Sequence, residues 1–238
     1  MTGNAESAAQ QQMELTQELL DGSLPGHGVR VTSDLDVASG TIVVQPTAEA
    51  RRTPPLRLTV GGVHTADISV SIRFRWLDHC RALAVNESRF SLLLADERQP
   101  LVRFEFQEAL TATPQSHWHL HAERGAFSAL LARAGDNGSG RRDAARLSSL
   151  HFPLGGPHFR PSLADVVEFV IVECGVDSLP TWRSAVHEFR KQWRRGEAAA
   201  TARQFPAETA GALRALGWSV QPPAPAEIPA QFATLAAG

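Results

Sequence analysis

The chain has 238 residues, with 23 Lys and Arg against 25 Asp and Glu for a net charge of −2, and it is 43% hydrophobic and 20% charged. That length carries one large domain or two small ones around a real core, and the balance excludes both wholesale disorder and a protein that is basic in bulk for nucleic acid. No apolar run reaches the roughly 18–20 residues that span a bilayer, and the start, MTGNAESAAQQQ, lacks the basic-then-apolar order of a leader, so the cytoplasm is the expected compartment.

Cys80 and Cys174 stand far apart with no CxxC or CxxH around either, and read as reduced core thiols. Lys191 is the single lysine, so nearly every cation is a planar guanidinium suited to phosphate or carboxylate. The absence of Tyr and the abundance of Ala and Arg are the coding bias of a high-GC bacterium.

In chain order, residues 1–10 are small and polar and read as disordered, while Met13, Leu15, Leu19 and Leu20 predict a short amphipathic helix over 11–21, ended by Asp21-Gly22. From 29 onward the period is two. Leu56, Leu58 and Val60 alternate with Arg57 and Thr59 up to Gly61-Gly62, and Ile68, Val70, Ile72, Phe74 and Trp76 alternate with Ser69, Ser71, Arg73 and Arg75 over 67–77. Further strands are predicted at 41–45, 80–86, 90–95, 101–107 and 116–122. Residues 135–142 compose a loop, after which the period becomes helical. Ser162 with Asp165 forms a capping-box start, and Leu163, Val166, Val167, Val170, Ile171 and Cys174 make one stripe, flanked by Phe169 and Val172, of a deeply buried helix. Trp182, Val186, Phe189 and Trp193 share a face of a second helix over 180–195, and a third, 206–216, ends at Gly217. The Pro- and Ala-rich segment 221–238 reads as an unstructured tail. The fold class is therefore α+β: one domain over 11–220, an antiparallel sheet over about 29–160 with C-terminal helices of 162–216 packed on one face.

Three places carry chemistry. On a strand, His117, His119 and His121 line one face, about 6.6 Å between neighbours, with Trp118 and Leu120 on the other. Adjacent members of such a face, His119 and His121 foremost, can bind a divalent metal with a third ligand from the next strand, such as Glu105, whereas His117 and His121, about 13 Å apart, cannot share an ion. Alternatively, a neutral and a protonated imidazole act as base and acid on a phosphodiester, with Arg73, Arg75 and Arg103 neutralising the phosphate. The bland alternative is the solvated face of a half-buried strand. Second, the turn His151-Phe152-Pro153-Leu154-Gly155-Gly156-Pro157-His158 leads into a helix N-terminus, where His151 and His158 are binding candidates. Third, Arg190, Arg194 and Arg195 make a basic patch for nucleic acid or an acidic partner, or simply a solvated helix end.

A strand Arg103-Phe104-Glu105-Phe106, the segment His117-Trp118-His119-Leu120-His121 and a helix opening at Pro161-Ser162 follow one another over residues 100–175. This order resembles the small TumE-like toxins of prokaryotic toxin–antitoxin pairs, which carry an Arg-Tyr-Asp-type strand, a His-rich segment and a C-terminal helix; Glu105 stands at the acidic position. The resemblance implies a small cytoplasmic effector or its partner, acting on RNA. Because the residues make up no complete catalytic constellation, the expected function is an interaction module of a toxin–antitoxin or phage-defence-like system, with a protein partner and no obligatory cofactor. The alternatives are a His-dependent ribonuclease or phosphodiesterase, with His117, His119, His121 and Glu105 catalytic, and a cupin-like HxH metal protein.

Overall fold

The computed structural model describes residues 2–36, 39–48, 51–78, 81–111, 114–121, 152–153 and 159–222. Among the described residues a helix α1 (Thr2–Ser23) precedes nine strands, β1 (Arg30–Asp36), β2 (Thr41–Ala48), β3 (Arg51–Arg52), β4 (Leu56–Val60), β5 (Val63–Leu77), β6 (Ala82–Leu94), β7 (Pro100–Gln107), β8 (Ser116–Leu120) and β9 (Phe152–Pro153). Helices α2 (Leu163–Val172), α3 (Trp182–Gln204) and α4 (Pro206–Ala215) follow. All described strand pairings are antiparallel, in the order β1-β2-β5-β6-β7-β8-β9, with β3 on β2 and β4 on β5. The fold is α+β, as the change of period predicts. Among the described residues no helix is long and apolar enough to cross a membrane.

The chain divides into two compact units, residues 1–191 and 192–238, where the sequence reading has one domain over 11–220. Within the first, period-two alternation builds one apolar sheet face. Val44 lies opposite Ile72, Val70 opposite Phe90, Phe90 opposite Phe104 and Phe104 opposite Trp118, so each strand hands the same face to the next. Leu19 and Leu20 of α1 and Val166, Val167 and Val170 of α2 are buried with this face, and the Phe169 ring meets that of Phe104 edge-on at 6.3 Å. In the second unit α4 buries no side chain, and it closes as expected at Gly217 in a Schellman motif, with Gly217 N–H donating to Arg214 O and Trp218 N–H to Leu213 O.

Several local expectations are corrected. Helix α1 begins at Thr2, so residues 2–10 are not disordered; Ala5 and Ala9, four apart, are buried, and their small side chains make an apolar face that a count of large residues overlooks. The segments 80–86 and 90–95 are one strand, β6, with a register shift opposite Arg73/Phe74 that absorbs Asn86. In α2 the capping box is present, with Ser162 Oγ accepting from Asp165 N–H and Ser162 N–H donating to Asp165 Oδ2, but Phe169, Val172 and Cys174 are exposed. Cys174 is therefore not a core thiol; partial burial and then the neighbouring Glu173 raise its pKa. Cys80 and residues 223–238 lie outside the described residues.

Two contacts fix how the helices of the first unit meet the sheet and each other. Gly61 and Gly62, with φ of 59° and 78°, turn β4 into β5 as a type I′ hairpin, and the Asp177 carboxylate accepts from both glycine N–H groups and from Thr59 Oγ1. At the other contact Thr181 Oγ1 donates to Gly22 O at 2.8 Å, and a methyl group on Gly22 would meet Ala185 Cβ at 2.7 Å. Gly22→Ala should therefore destabilise: an overpacking cost of about 1–3 kcal/mol outweighs the roughly 1 kcal/mol by which Ala exceeds Gly in a helix. In an Ala185→Gly background the same substitution should stabilise, and urea unfolding of the four proteins reads the reversal of sign.

Hydrogen bonds from Gly62, Thr59 and Gly61 lower the Asp177 pKa. A depressed folded-state value contributes stability above the unfolded value of about 3.9 that is lost as pH falls through the folded one. The difference in melting temperature between wild type and Asp177→Asn should shrink as the pH is lowered from about 6 toward about 2 (roughly two units either side of the unfolded value). A constant difference would refute the role of the carboxylate.

Candidate functional site

The face opposite the apolar one is polar, and the same register orders it. Arg89 of β6 lies opposite Glu105 of β7, which lies opposite His117 of β8; one step along, Ser91, Arg103 and His119 make the next row. His121 continues the ladder, its N–H donating to Leu101 O at 3.0 Å. Although they stand on the polar face, His117 and His119 are buried, at 4% and 7% exposure, while Trp118 and Leu120 on the apolar face are half-buried. The two faces of β8 thus reverse the burial that alternation predicts, and the solvated-strand alternative does not hold for these two histidines.

The Glu105 carboxylate sits at the centre. Its Oε2 is 3.1 Å from His119 Nε2 and 3.7 Å from His117 Nε2, while Oε1 is 2.6 Å from Arg89 Nε and 3.8 Å from an Arg103 terminal nitrogen. Burial raises the Glu105 pKa, but the hydrogen bond with His119 and the charges of Arg103 and Arg89 overcome it and hold the carboxyl down at about 2. His117 Nδ1 is 2.7 Å from Pro114 O. A carbonyl only accepts, so Nδ1 carries the proton and Nε2 of the neutral ring turns its lone pair toward Glu105. Burial lowers the His117 pKa against the raising effect of that hydrogen bond.

Glu105, His117 and His119 offer three ligand atoms within 4.8 Å of one another, and this buried group can hold a metal ion. Donors about 2.0–2.2 Å from a zinc-type ion stand roughly 3–3.5 Å apart, and Glu105 Oε2 lies 3.1 and 3.7 Å from the two imidazole nitrogens. The expected pair of His119 with His121 is corrected: the ligand group pairs His119 with His117. The His119 and His121 rings are 6.4 Å apart, and those of His117 and His119 are 4.9 Å apart. Burial and then Arg103 lower the His121 pKa. His121 Nε2 and Arg103 Nε are both buried without a hydrogen-bond partner among the described residues.

The other candidates are distributed elsewhere. Arg73 pairs with Glu87 at 3.6 Å and Arg75 with Glu108 at 2.9 Å, so neither reaches the histidines. Arg190 is not part of a free basic patch: its guanidinium is held by Asp165 and Glu168 of α2, tying α2 to α3 through the same Asp165 that completes the capping box. Arg194 and Arg195 are exposed on α3, and His151 and His158 lie outside the described residues. Arg89 and the Pro114 carbonyl join the site without having been singled out in the sequence. Reading 82–94 as one strand would have placed Arg89 beside Glu105, because it alternates in phase with Glu87 and Ser91.

Compared with protein-family models, with curated proteins and with solved structures, the chain matches none. The site therefore rests on its own geometry. Glu105→Gln removes the charge that two guanidiniums share and should cost about 1–3 kcal/mol. Glu87→Gln, on a carboxylate with more solvent, should cost under 1 kcal/mol (about the worth of an exposed ion pair). Equal losses in urea unfolding would contradict the central place given to Glu105.

Proposed function

We propose that the chain is a metal-dependent enzyme whose divalent first-row ion is held by Glu105 Oε2, His117 Nε2 and His119 Nε2. The observation that carries this reading is the approach of two electron-rich atoms, the His117 Nε2 lone pair and the ionised Glu105 Oε2, to 3.7 Å in a buried place. That separation is too long for a hydrogen bond. A cation between the two atoms turns repulsion into coordination. The surroundings support the same reading: His117 is oriented by the Pro114 carbonyl, and the second carboxylate oxygen is anchored by Arg89, as the outer partners of metal ligands commonly do. Two histidines and one carboxylate leave coordination positions open, the arrangement of catalytic rather than structural metal sites, and a bound ion supplies an activated water or a polarised substrate oxygen there.

The interaction-module reading rested on the lack of a complete catalytic constellation; the buried cluster supports an enzyme instead. A metal-free reading, with Glu105 orienting His119 as a general base at 3.1 Å, is favoured by that hydrogen bond alone. Zinc, manganese and cobalt titrations of the chelator-treated protein separate the two readings. One ion per chain is expected, lost in His117→Ala and His119→Ala, weakened about 10- to 100-fold by Arg89→Met, and unaffected by His187→Ala on the exposed side of α3. Azide should shift the visible spectrum of the cobalt-loaded protein by entering an open position. Folded protein that takes up none of the three ions would overturn the metal reading.

A further inference from the structure

Beside the proposed ligands, Arg103 and His121 are diagonal neighbours across β7 and β8: Arg103 lies opposite His119, and the His121 N–H donates to the carbonyl of Leu101, two residues before Arg103. Long side chains at such diagonal positions reach each other. Each carries a buried nitrogen, Arg103 Nε and His121 Nε2, without a hydrogen-bond partner among the described residues. A guanidinium N–H can only donate, and the imidazole Nε2 donates in one of its two neutral tautomers. Buried donors left unpaired are costly, and a native structure that keeps two side by side holds a place for an acceptor that comes from outside.

The charge of the neighbourhood says what that acceptor is. Arg73, Arg89 and Arg103 alternate with Glu87 and Glu105, and three guanidiniums against two carboxylates leave one positive charge before any metal enters. A divalent ion on Glu105, His117 and His119 raises that to three, in a place with little water to disperse it. We propose that Arg103 and His121 form a phosphoryl subsite next to the metal, and that the substrate is a phosphate ester whose non-bridging oxygens accept from Arg103 Nε and His121 Nε2. A tetrahedral oxyanion suits this site because it offers several acceptor oxygens on one centre, enough for the guanidinium, the imidazole and the ion at once. The subsite rests on the metal reading for its chemistry, but its two donors belong to residues outside the ligand set.

The test is calorimetric titration of inorganic phosphate into zinc-loaded and chelator-treated protein, with bound metal measured on the same samples. Wild type should bind one phosphate per chain, more tightly with zinc. Arg103→Met and His121→Gln should each weaken binding at least tenfold, and in His121→Gln, which leaves the partners of Glu105 in place, the bound zinc and the melting temperature should stay at wild-type values. Arg103→Lys, which keeps the charge but not the planar donor, should recover only part of the affinity. Competition by phenyl phosphate and by diphenyl phosphate then separates a terminal phosphoryl group from a bridging one. Zinc-loaded protein that binds no phosphate, or binds it equally in Arg103→Met and His121→Gln, overturns the subsite and leaves the metal reading standing. Protein that takes up no zinc yet binds phosphate through these two side chains overturns the metal reading and keeps the subsite; absence of both overturns both.

Discussion

The antiparallel register of β6, β7 and β8 is the constraint on which everything else depends. It is fixed from the apolar side, where Phe90, Phe104 and Trp118 meet in one row, the last two rings edge-on at 5.0 Å. Because side chains alternate with a period of two, this aromatic row forces the next residues, Arg89 or Ser91, Arg103 or Glu105, and His117 or His119, onto the opposite face in a fixed order. A slip of one residue would bring Phe104 into the histidines and carry Glu105 into the core, at the cost of both an unpaired buried charge and lost aromatic burial. The hydrophobic core and the candidate site are thus two readings of a single register, and the energy that aligns the site is supplied by packing on the face it does not use.

That arrangement has an electrostatic counterpart. Burying histidines and a carboxylate is unfavourable unless their charges are answered locally, and here Glu105 is answered on both oxygens, by Arg89 and Arg103 on one and by His119 on the other. The arginines lie on a diagonal of the sheet, Arg73, Arg89 and Arg103, each one strand over and two residues along from the last, with Glu87 and Glu105 between them. The site is the buried end of a ladder of alternating charge. Its carboxyl is held well below the usual carboxylate range, at about 2.

Much of this was legible in the sequence, and the parts that were not share a physical reason. The alternation of Ile68 through Trp76, the Ser162–Asp165 capping box and the placement of His117, His119 and Glu105 on one face all follow from periodicity and local chemistry, which a single chain carries. What escaped depends on partners far along the chain. Splitting β6 at its bulge hid Arg89, because a strand with one extra residue loses its phase midway. The burial of His117 and His119 could not be read from alternation, which says only which face a side chain points to and not what lies over that face. The role of Arg190 escaped for the same cause. A cation next to other cations reads as a patch, and only the packing of α3 against α2 reveals that Asp165 and Glu168 had already claimed it.

Why the site lies at β7 and β8 rather than at the arginines of β5 follows from exposure along the ladder. Side-chain exposure falls among the arginines from 51% at Arg73 to 48% at Arg89 and 29% at Arg103, and among the carboxylates from 22% at Glu87 to 10% at Glu105. The same unit charges interact only weakly at the open end, where water and salt screen them, and several times more strongly at the closed end. Arg73 and Arg75, paired in solvent, can hold the sheet face in register, whereas Arg103, 29% exposed, would act on a group bound at the proposed site with less screening. Chemistry therefore belongs where the ladder becomes buried, and the residues that sequence composition makes most conspicuous, the solvated arginines of 67–77, are those least able to perform it.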